Sequence, residues 1–267
     1  MLHGIIERLR QKKRTVPYPK GAPVLPARFR GRPAIASALC RQATGVSISS
    51  GGTCAGRCST VCPTGAIAST ARGPRLDLGR CIFCGNCAAA CPAGAISFSR
   101  DYQLAASRRE DLFVVPGDGL SPVPSVTPLR GRLRSMFGRS LKLRQVSGAG
   151  CNACEADCNV LGTIVFDLPR FGIDFVASPR HADALLVTGP VPDNMRLALQ
   201  KCYAAVAEPK LVIAVGSCAI SGGLFRELGG HGQGLPAEFK PDLFIPGCPP
   251  HPYTIMDGLL RLLGRIG

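Results

Sequence analysis

Twelve of the fourteen cysteines in this chain fall into three sets whose spacing is that of iron–sulfur ligation, which leaves few folds open to it. The most regular set is CIFCGNCAAACP at 81–92, where Cys81, Cys84, Cys87 and Cys91 follow C-x2-C-x2-C-x3-C-P. Cysteines at two-residue intervals let a tight loop present three thiolates to one cubane. Gly85, Ala88, Ala89 and Ala90 keep the backbone close enough for N–H groups to point at sulfur, and Pro92 turns the chain away after the fourth cysteine.

The run has a second copy. CSTVCPTGAI at 58–67 and CAAACPAGAI at 87–96 share C-x3-C-P-x-G-A-I at an offset of 29. A repeat of this kind resembles the two-cluster bacterial ferredoxins and implies crossed ligation: Cys62, Cys81, Cys84 and Cys87 hold one 4Fe-4S cluster, while Cys58 and Cys91 belong to the other. The first copy departs from the pattern, because Gly52 and Ala55 stand where cysteines are expected. Cys40 and Cys54 are the available substitutes, with VSISSGGT between them as an insertion. An intact four-iron site, a three-iron site and an empty site all remain open on the spacing.

The third set is spread over the C-terminal half: Cys151 and Cys154 in GAGCNACEAD, Cys218 in AVGSCAISGG and Cys248 in FIPGCPPHP. A strand-like apolar run precedes each (LKLRQV, KLVIAVG, DLFIPG). In this order, and with RFGIDFVASPRHADALLVTGPV at 170–191, they closely resemble the single-cluster electron-transfer subunit shared by nickel–iron hydrogenases and respiratory complex I. Complex I subunits carry two adjacent cysteines at the first position. Here they are separated as CNAC and followed by Glu155, as in the membrane-bound, energy-converting hydrogenases, including formate hydrogenlyase. RFRGRP at 28–33 is similar to the segment before the first cluster of the two-cluster subunit of the same complexes. The chain thus resembles a fusion of the two subunits, and the resemblance implies three 4Fe-4S clusters.

Texture divides the chain into a basic extension (1–33), a two-cluster ferredoxin domain of α+β type (34–100), a linker (101–140) and a domain resembling the hydrogenase small subunit and its complex I counterpart (141–267). The last alternates short strands with helices, so the overall class is α/β, with a flavodoxin-like parallel sheet whose strand ends carry the ligands. In it, Asp193 is placed to cap a helix with an apolar face of Leu199, Cys202, Tyr203 and Val206, and Ile255, Leu259, Leu262 and Leu263 give another. The linker is rich in Pro, Gly, Ser and Arg without periodicity, which predicts a partner-wrapping segment and a small interface between the domains. In the extension, Leu2, Ile5, Ile6 and Leu9 recur at helical spacing opposite Arg8, Lys12 and Lys13. That spacing predicts a short amphipathic helix for a membrane surface or partner groove, with a solvated tail as the alternative.

Charge is uneven. Residues 1–150 hold 23 Lys+Arg and 6 Asp+Glu, a balance of +17, against 9 and 11, or −2, in 151–267, which sums to the net +15. Part of the excess offsets the negative clusters, and the rest faces a partner. Nucleic acid is a poor fit, since the chain lacks tryptophan, has 6% aromatic residues and carries no recognition motif. Fourteen cysteines with C-P punctuation and no apolar h-region in MLHGIIERLRQKKRT indicate metal thiolates in a reducing compartment. No stretch reads as a membrane span.

Other candidates are weighed against plain structural roles. Cys202 lies on an apolar face and reads as a buried small hydrophobe. Cys158, one turn from Cys154, reads as structural or supporting. Glu155 is open between a proton relay and a surface or partner-facing carboxylate. Arg180 and His181 fall where the resembling family faces its large subunit, or else form a turn bonded to Asp183. His251 and Tyr253 replace the family's arginine and glutamate in CPPHPY, which removes the basis for a proton or salt-bridge role there. His231 is a loop residue and His3 has no assignment.

The resemblance implies an iron–sulfur electron-transfer subunit of a membrane-associated hydrogenase or formate hydrogenlyase complex, an oxidoreductase subunit with no catalytic residue of its own. It would relay electrons between a donor protein and a large subunit, beside membrane subunits, on the inner, cytoplasmic face of the cell membrane. The alternatives are a complex I-like subunit passing electrons to quinone, and a non-redox module in which the cysteines hold zinc.

Overall fold

The computed structural model describes residues 2–40, 54, 56–71, 73–117, 120–230 and 232–266; the VSISSGGT insertion with Gly52, and also Ala55 and His231, lie outside the described residues. The chain opens with α1 (Leu2–Gln11) and reaches β1 (Pro33–Ile35) through an extended arm. The repeat in the sequence then becomes a repeat in space. Gly56, in the left-handed region at φ 72°, opens α2 (Arg57–Thr60), which leads to β2 (Ile67–Thr70). β3 (Gly73–Asp77) pairs antiparallel with β2. In the second copy Gly85, at φ 83°, opens α3 (Asn86–Ala89), which leads to β4 (Ile96–Phe98), paired antiparallel with β1. Gly56 and Gly85, Arg57 and Asn86, and Ile67 and Ile96 are each separated by the offset of the sequence repeat. β5 (Phe113–Val114) completes the sheet on β3.

Residues 101–140 correct the expectation of a loose linker with a small interface between domains. Val126, Leu129 and Phe137, the last from α4 (Gly131–Phe137), are buried in the same core as Leu259 and Leu262. The Leu129 N–H donates to Leu262 O at 2.8 Å. Residues 121–130 form neither helix nor strand, so Val126 and Leu129 find their pockets without the periodicity that marks such elements, while Phe137 is carried in by α4.

The C-terminal half is a five-stranded parallel sheet of β6 (Leu141–Ser147), β7 (Ile173–Phe175), β8 (Ala184–Thr188), β9 (Leu211–Val215) and β10 (Leu243–Ile245). Its order, β7-β6-β8-β9-β10, is that of flavodoxin-like folds. β8 and β9 are buried at every position, as the unbroken runs ALLVT and LVIAV require of strands covered on both faces. Ala106 exchanges both backbone hydrogen bonds with Phe244 (3.0 and 2.8 Å), covering the free edge of β10 with chain from the ferredoxin side.

Helices cover the sheet: α5 (Ala153–Val160), α6 (Asp193–Ala205), α7 (Gly216–Ser221) and α8 (Pro252–Leu262). On α6, Leu199 and its neighbour Val206 are buried, with Cys202 and Tyr203 packed on the same core, as their periodicity predicts. Asp193 is not the cap: Pro192 occupies that position, and Asp193 lies in the first turn without a capping bond. α8 is buried around its whole circumference, Asp257 and Arg261 included.

Candidate iron–sulfur sites

The first cysteine group is formed within the ferredoxin half. Cys62, Cys81, Cys84 and Cys87 line one cavity, with Ala66, Ile67, Leu76 and Phe98 among the apolar residues around it. Cys62 follows α2, Cys81 and Cys84 lie in the loop before α3, which Phe83 (φ 55°) and Gly85 (φ 83°) bend through the left-handed region, and Cys87 lies in the first turn of α3. The loop aims donors at sulfur: Phe83 N–H reaches Cys81 Sγ at 3.3 Å and Ala66 N–H reaches Cys62 Sγ at 3.2 Å. Burial pushes the Cys87 thiol up to about 11, reinforced by Cys84 and Cys62. Thiols placed like this resist ionisation on their own and are suited to trading their protons for metal cations.

The second group repeats the first. Ala95 N–H donates to Cys91 Sγ at 3.3 Å, the counterpart in the second copy of the Ala66–Cys62 bond in the first. Burial raises the Cys58 thiol, and the charges of Cys54, then Cys40 and Cys91, add to the shift. Cys40 is buried and Cys54 half-buried.

The third group sits at the C-terminal ends of the parallel strands, where an open α/β sheet builds its sites. Cys151 lies in the turn after β6, Cys154 in α5, Cys218 in α7 directly after β9, and Cys248 after β10. Burial pushes the Cys218 thiol up to about 11, with Cys248 and Cys151 as the next causes. Cys154 is raised by burial and then by Cys218. Gly216 (φ 87°) and Gly223 (φ 55°) flank this site. A Cβ on Gly216 would stand 2.6 Å from Cys154 Sγ, and one on Gly223 2.9 Å from Cys218 Sγ, so backbone approaches sulfur where no larger residue fits. Cys151 and Cys248 are exposed, which opens this group to the surface.

A buried hydroxyl joins the third group to the first. Ser217, beside Cys218, places its Oγ 2.7 Å from Cys81 O and 3.0 Å from Gly247 O, next to Cys248. One turn on, Ser221 Oγ donates to Gly79 O at 2.9 Å. The sequence offers no sign of this clamp, since the partners lie 136 and 142 residues apart. Nearby, Cys84 and Cys248 line a common cavity of about 360 Å³ with Arg28 and Arg30. Arg30 also reaches Phe83 O at 3.4 Å, which sets basic charge from RFRGRP against the cysteine loop.

The remaining candidates resolve by burial. Glu155 is 6% exposed and accepts from Ser147 Oγ (2.7 Å) and Thr188 Oγ1 (2.5 Å), which overturns its surface reading. Cys158 is fully buried in the core under the sheet. Arg180 and His181 are exposed, but Asp183 accepts from Lys142 N–H at 2.7 Å and not from their turn. His251 caps α8 by accepting from Tyr253 N–H at 3.2 Å and stacks on the Tyr253 ring; burial lowers its pKa. His3 is exposed.

Among the described residues, no three or more His, Cys, Asp or Glu side chains gather as they would on a single metal ion. A cubane makes no such demand, because each thiolate binds a different iron. Four cysteines around an enclosed cavity, with N–H groups aimed at sulfur, fit the larger cluster.

Comparison with known proteins divides the chain along the same line. Residues 74–97 match the 4Fe-4S binding domain, and residues 151–262 match the NADH ubiquinone oxidoreductase 20 kDa subunit. A probable membrane-bound hydrogenase subunit of Pyrococcus furiosus is 37% identical over 51% of this chain and 81% of its own length. Formate hydrogenlyase subunit 7 of Escherichia coli is 38% identical over 54% of this chain, which spans 59% of that subunit. An NADH-quinone oxidoreductase subunit of Desulfovibrio desulfuricans is 38% identical over 55% of this chain and 81% of its own length. The matched stretch begins at Cys151 and takes in every strand-end cysteine of the third group, so the chain belongs to the NADH ubiquinone oxidoreductase 20 kDa subunit family, joined here to a 4Fe-4S binding domain.

Proposed function

We propose that this chain is the electron-relay subunit of a membrane-associated nickel–iron hydrogenase of the formate hydrogenlyase type. Cys62, Cys81, Cys84 and Cys87 would hold one 4Fe-4S cluster, Cys40, Cys54, Cys58 and Cys91 a second, and Cys151, Cys154, Cys218 and Cys248 a third. Bound clusters of this kind supply reversible one-electron storage. The chain's own part is to hold them in a fixed order and to set their surroundings through burial, N–H to sulfur bonds and basic side chains. The working units are the proposed extension 1–33, ferredoxin domain 34–100, connecting segment 101–140 and C-terminal domain 141–267.

The observation that carries the proposal is the Ser217 hydroxyl between Cys81 and Cys218, which sets the ferredoxin side against the third group while Cys151 and Cys248 face outward. A donor protein would meet the ferredoxin side and a large subunit the outward cysteines, beside membrane subunits on the cytoplasmic face. The hydrogenase type is favoured over a quinone reductase by the separated CNAC, in which Asn152 at φ 68° leaves Cys151 in a turn and carries Cys154 into α5.

The test is anaerobic purification. The expected chain is brown, bleaches with dithionite and holds about twelve irons, four for each cluster. Nickel in a co-purifying large subunit identifies the hydrogenase. A colourless chain that holds zinc overturns the relay, and a nickel-free large subunit with bound quinone overturns the hydrogenase assignment.

A further inference from the structure

We infer that α1, the basic arm after it and the turn at Ile164 and Val165 form one face that docks on an anionic phospholipid surface. The inference rests on the proposal of a peripheral subunit in a membrane complex and adds the face by which this chain itself meets lipid. Among the described residues, no helix is long and apolar enough to cross a membrane.

Three observations converge. Ile5, Ile6 and Leu9 are 59%, 41% and 74% exposed, an apolar stripe with no covering chain. At helical spacing they share about a third of the helix circumference, with Arg8 on one flank and Arg10 on the other. The arm continues as Lys12, Lys13 and Arg14, then Lys20, all exposed, and Glu7 is the one acidic residue in 1–33. Among the described residues, none of these six cations has an acidic side chain within ion-pair distance.

The arm is also fastened so that a second apolar element stands beside the charge. Thr15 Oγ1 donates to Ile164 O at 2.8 Å, Val16 N–H donates to Val165 O at 2.9 Å, and Arg170 donates to Val16 O and Tyr18 O, both at 2.9 Å. Ile164 and Val165 are 61% and 41% exposed. Arm and turn enclose a cleft of about 520 Å³ whose rim carries Arg8, Lys13, Arg14, Lys20 and Arg170, and whose wall includes Ile164 and Phe171. Apolar side chains on a basic rim match the boundary of an anionic bilayer: the stripe enters the acyl region while the cations meet phosphate.

The test is co-sedimentation of the cluster-loaded full chain with vesicles of phosphatidylglycerol and phosphatidylcholine, against phosphatidylcholine alone. Binding is expected to the anionic vesicles only and to weaken as salt is raised. Reversing Lys12, Lys13 and Arg14 to Glu should lower partitioning by at least about a hundredfold, and Ile5→Asp with Leu9→Asp should reduce it further. Millimolar inorganic phosphate should not compete, because a free anion cannot replace the apolar contact. Equal binding to both vesicle types, retention by the charge-reversed variant, or displacement by phosphate overturns the proposal. A dimer in sedimentation velocity that the Ile5→Asp/Leu9→Asp variant abolishes would assign the stripe to a second copy instead. Visible absorption and iron content, read on the same samples, report the relay function separately, so either proposal can fail alone.

Discussion

At the residue scale, fourteen thiols differ less in chemistry than in what surrounds them. Cys218 and Cys202 each lie on a helix of the same domain. Cys218 stands between two positive-φ glycines with Cys248 and Cys151 as electrostatic neighbours, whereas Cys202 packs with Tyr203 and Leu199. Cys218→Ala should therefore leave the ferredoxin clusters reducible by dithionite while stopping transfer from the large subunit to an acceptor at the ferredoxin end of the assembled complex. Cys202→Ala should leave that transfer near wild type and cost about 1 kcal/mol of packing, seen as a lower unfolding midpoint. Full transfer in an assembled Cys218→Ala complex would make the third group structural. The same contrast tests Cys40 and Cys54. Because both neighbour Cys58, Cys40→Ser and Cys54→Ser should each remove or alter one ferredoxin EPR signal and spare the other. An iron count unchanged by both substitutions would show that neither is a ligand. The regular run is legible from spacing alone, since C-x2-C is a local geometric rule. Cys40 and Cys54 are legible only by elimination, because an irregular approach leaves no local pattern.

Helix α8 shows the same division between local and long-range information at the scale of an element. Its apolar spacing announces a helix, but Asp257 and Arg261 in IMDGLLRLL read as a polar side, and both are buried. Asp257 accepts from Tyr18 of the arm (3.0 Å), Gln103 of the connecting segment (3.3 Å) and Arg261 (3.4 Å), and Arg261 also donates to Pro124 O at 2.5 Å. One carboxylate thus fastens separate stretches of chain onto α8. Tyr18 and Gln103 stand 239 and 154 residues upstream of it, and nothing local in the sequence could name them. Asp257→Ala removes the shared acceptor and leaves a buried guanidinium short of its charge partner, at a cost of about 3–5 kcal/mol. Urea unfolding should show that loss, and limited proteolysis should cut the arm near Tyr18 and the segment near Gln103 earlier than in the wild type. A loss below about 1 kcal/mol would mean that water replaces the carboxylate and that the arm is held elsewhere.

For the whole molecule, the question is whether the ferredoxin half and the C-terminal half fold as two bodies or one. Composition argues for two, since Pro and Gly fill the stretch between them. The packing argues for one. Tyr18, Leu25, Ala105, Val126 and Leu129 all belong to the core that also contains β6, β9 and α8. Leu104 and Ala106 belong to the ferredoxin core, on which Ile220 and Phe244 from the other half also pack. The Ser217 and Ser221 hydroxyls close the seam, and a Cβ on Gly79 would stand 2.7 Å from Ile220 Cγ2. A fragment spanning 135–267 would expose the apolar side chains that those upstream residues cover, and it should aggregate or fail to retain iron after reconstitution. The full chain should unfold in a single transition seen alike by cluster absorption and by circular dichroism. Gly79→Ala drives a methyl group into the seam at a cost of about 1–3 kcal/mol and should split that transition or lower its midpoint. A stable, iron-loaded fragment 135–267 together with an unaffected Gly79→Ala chain would show that the two halves are independent after all, and that the buried contacts between them add little to holding the relay together.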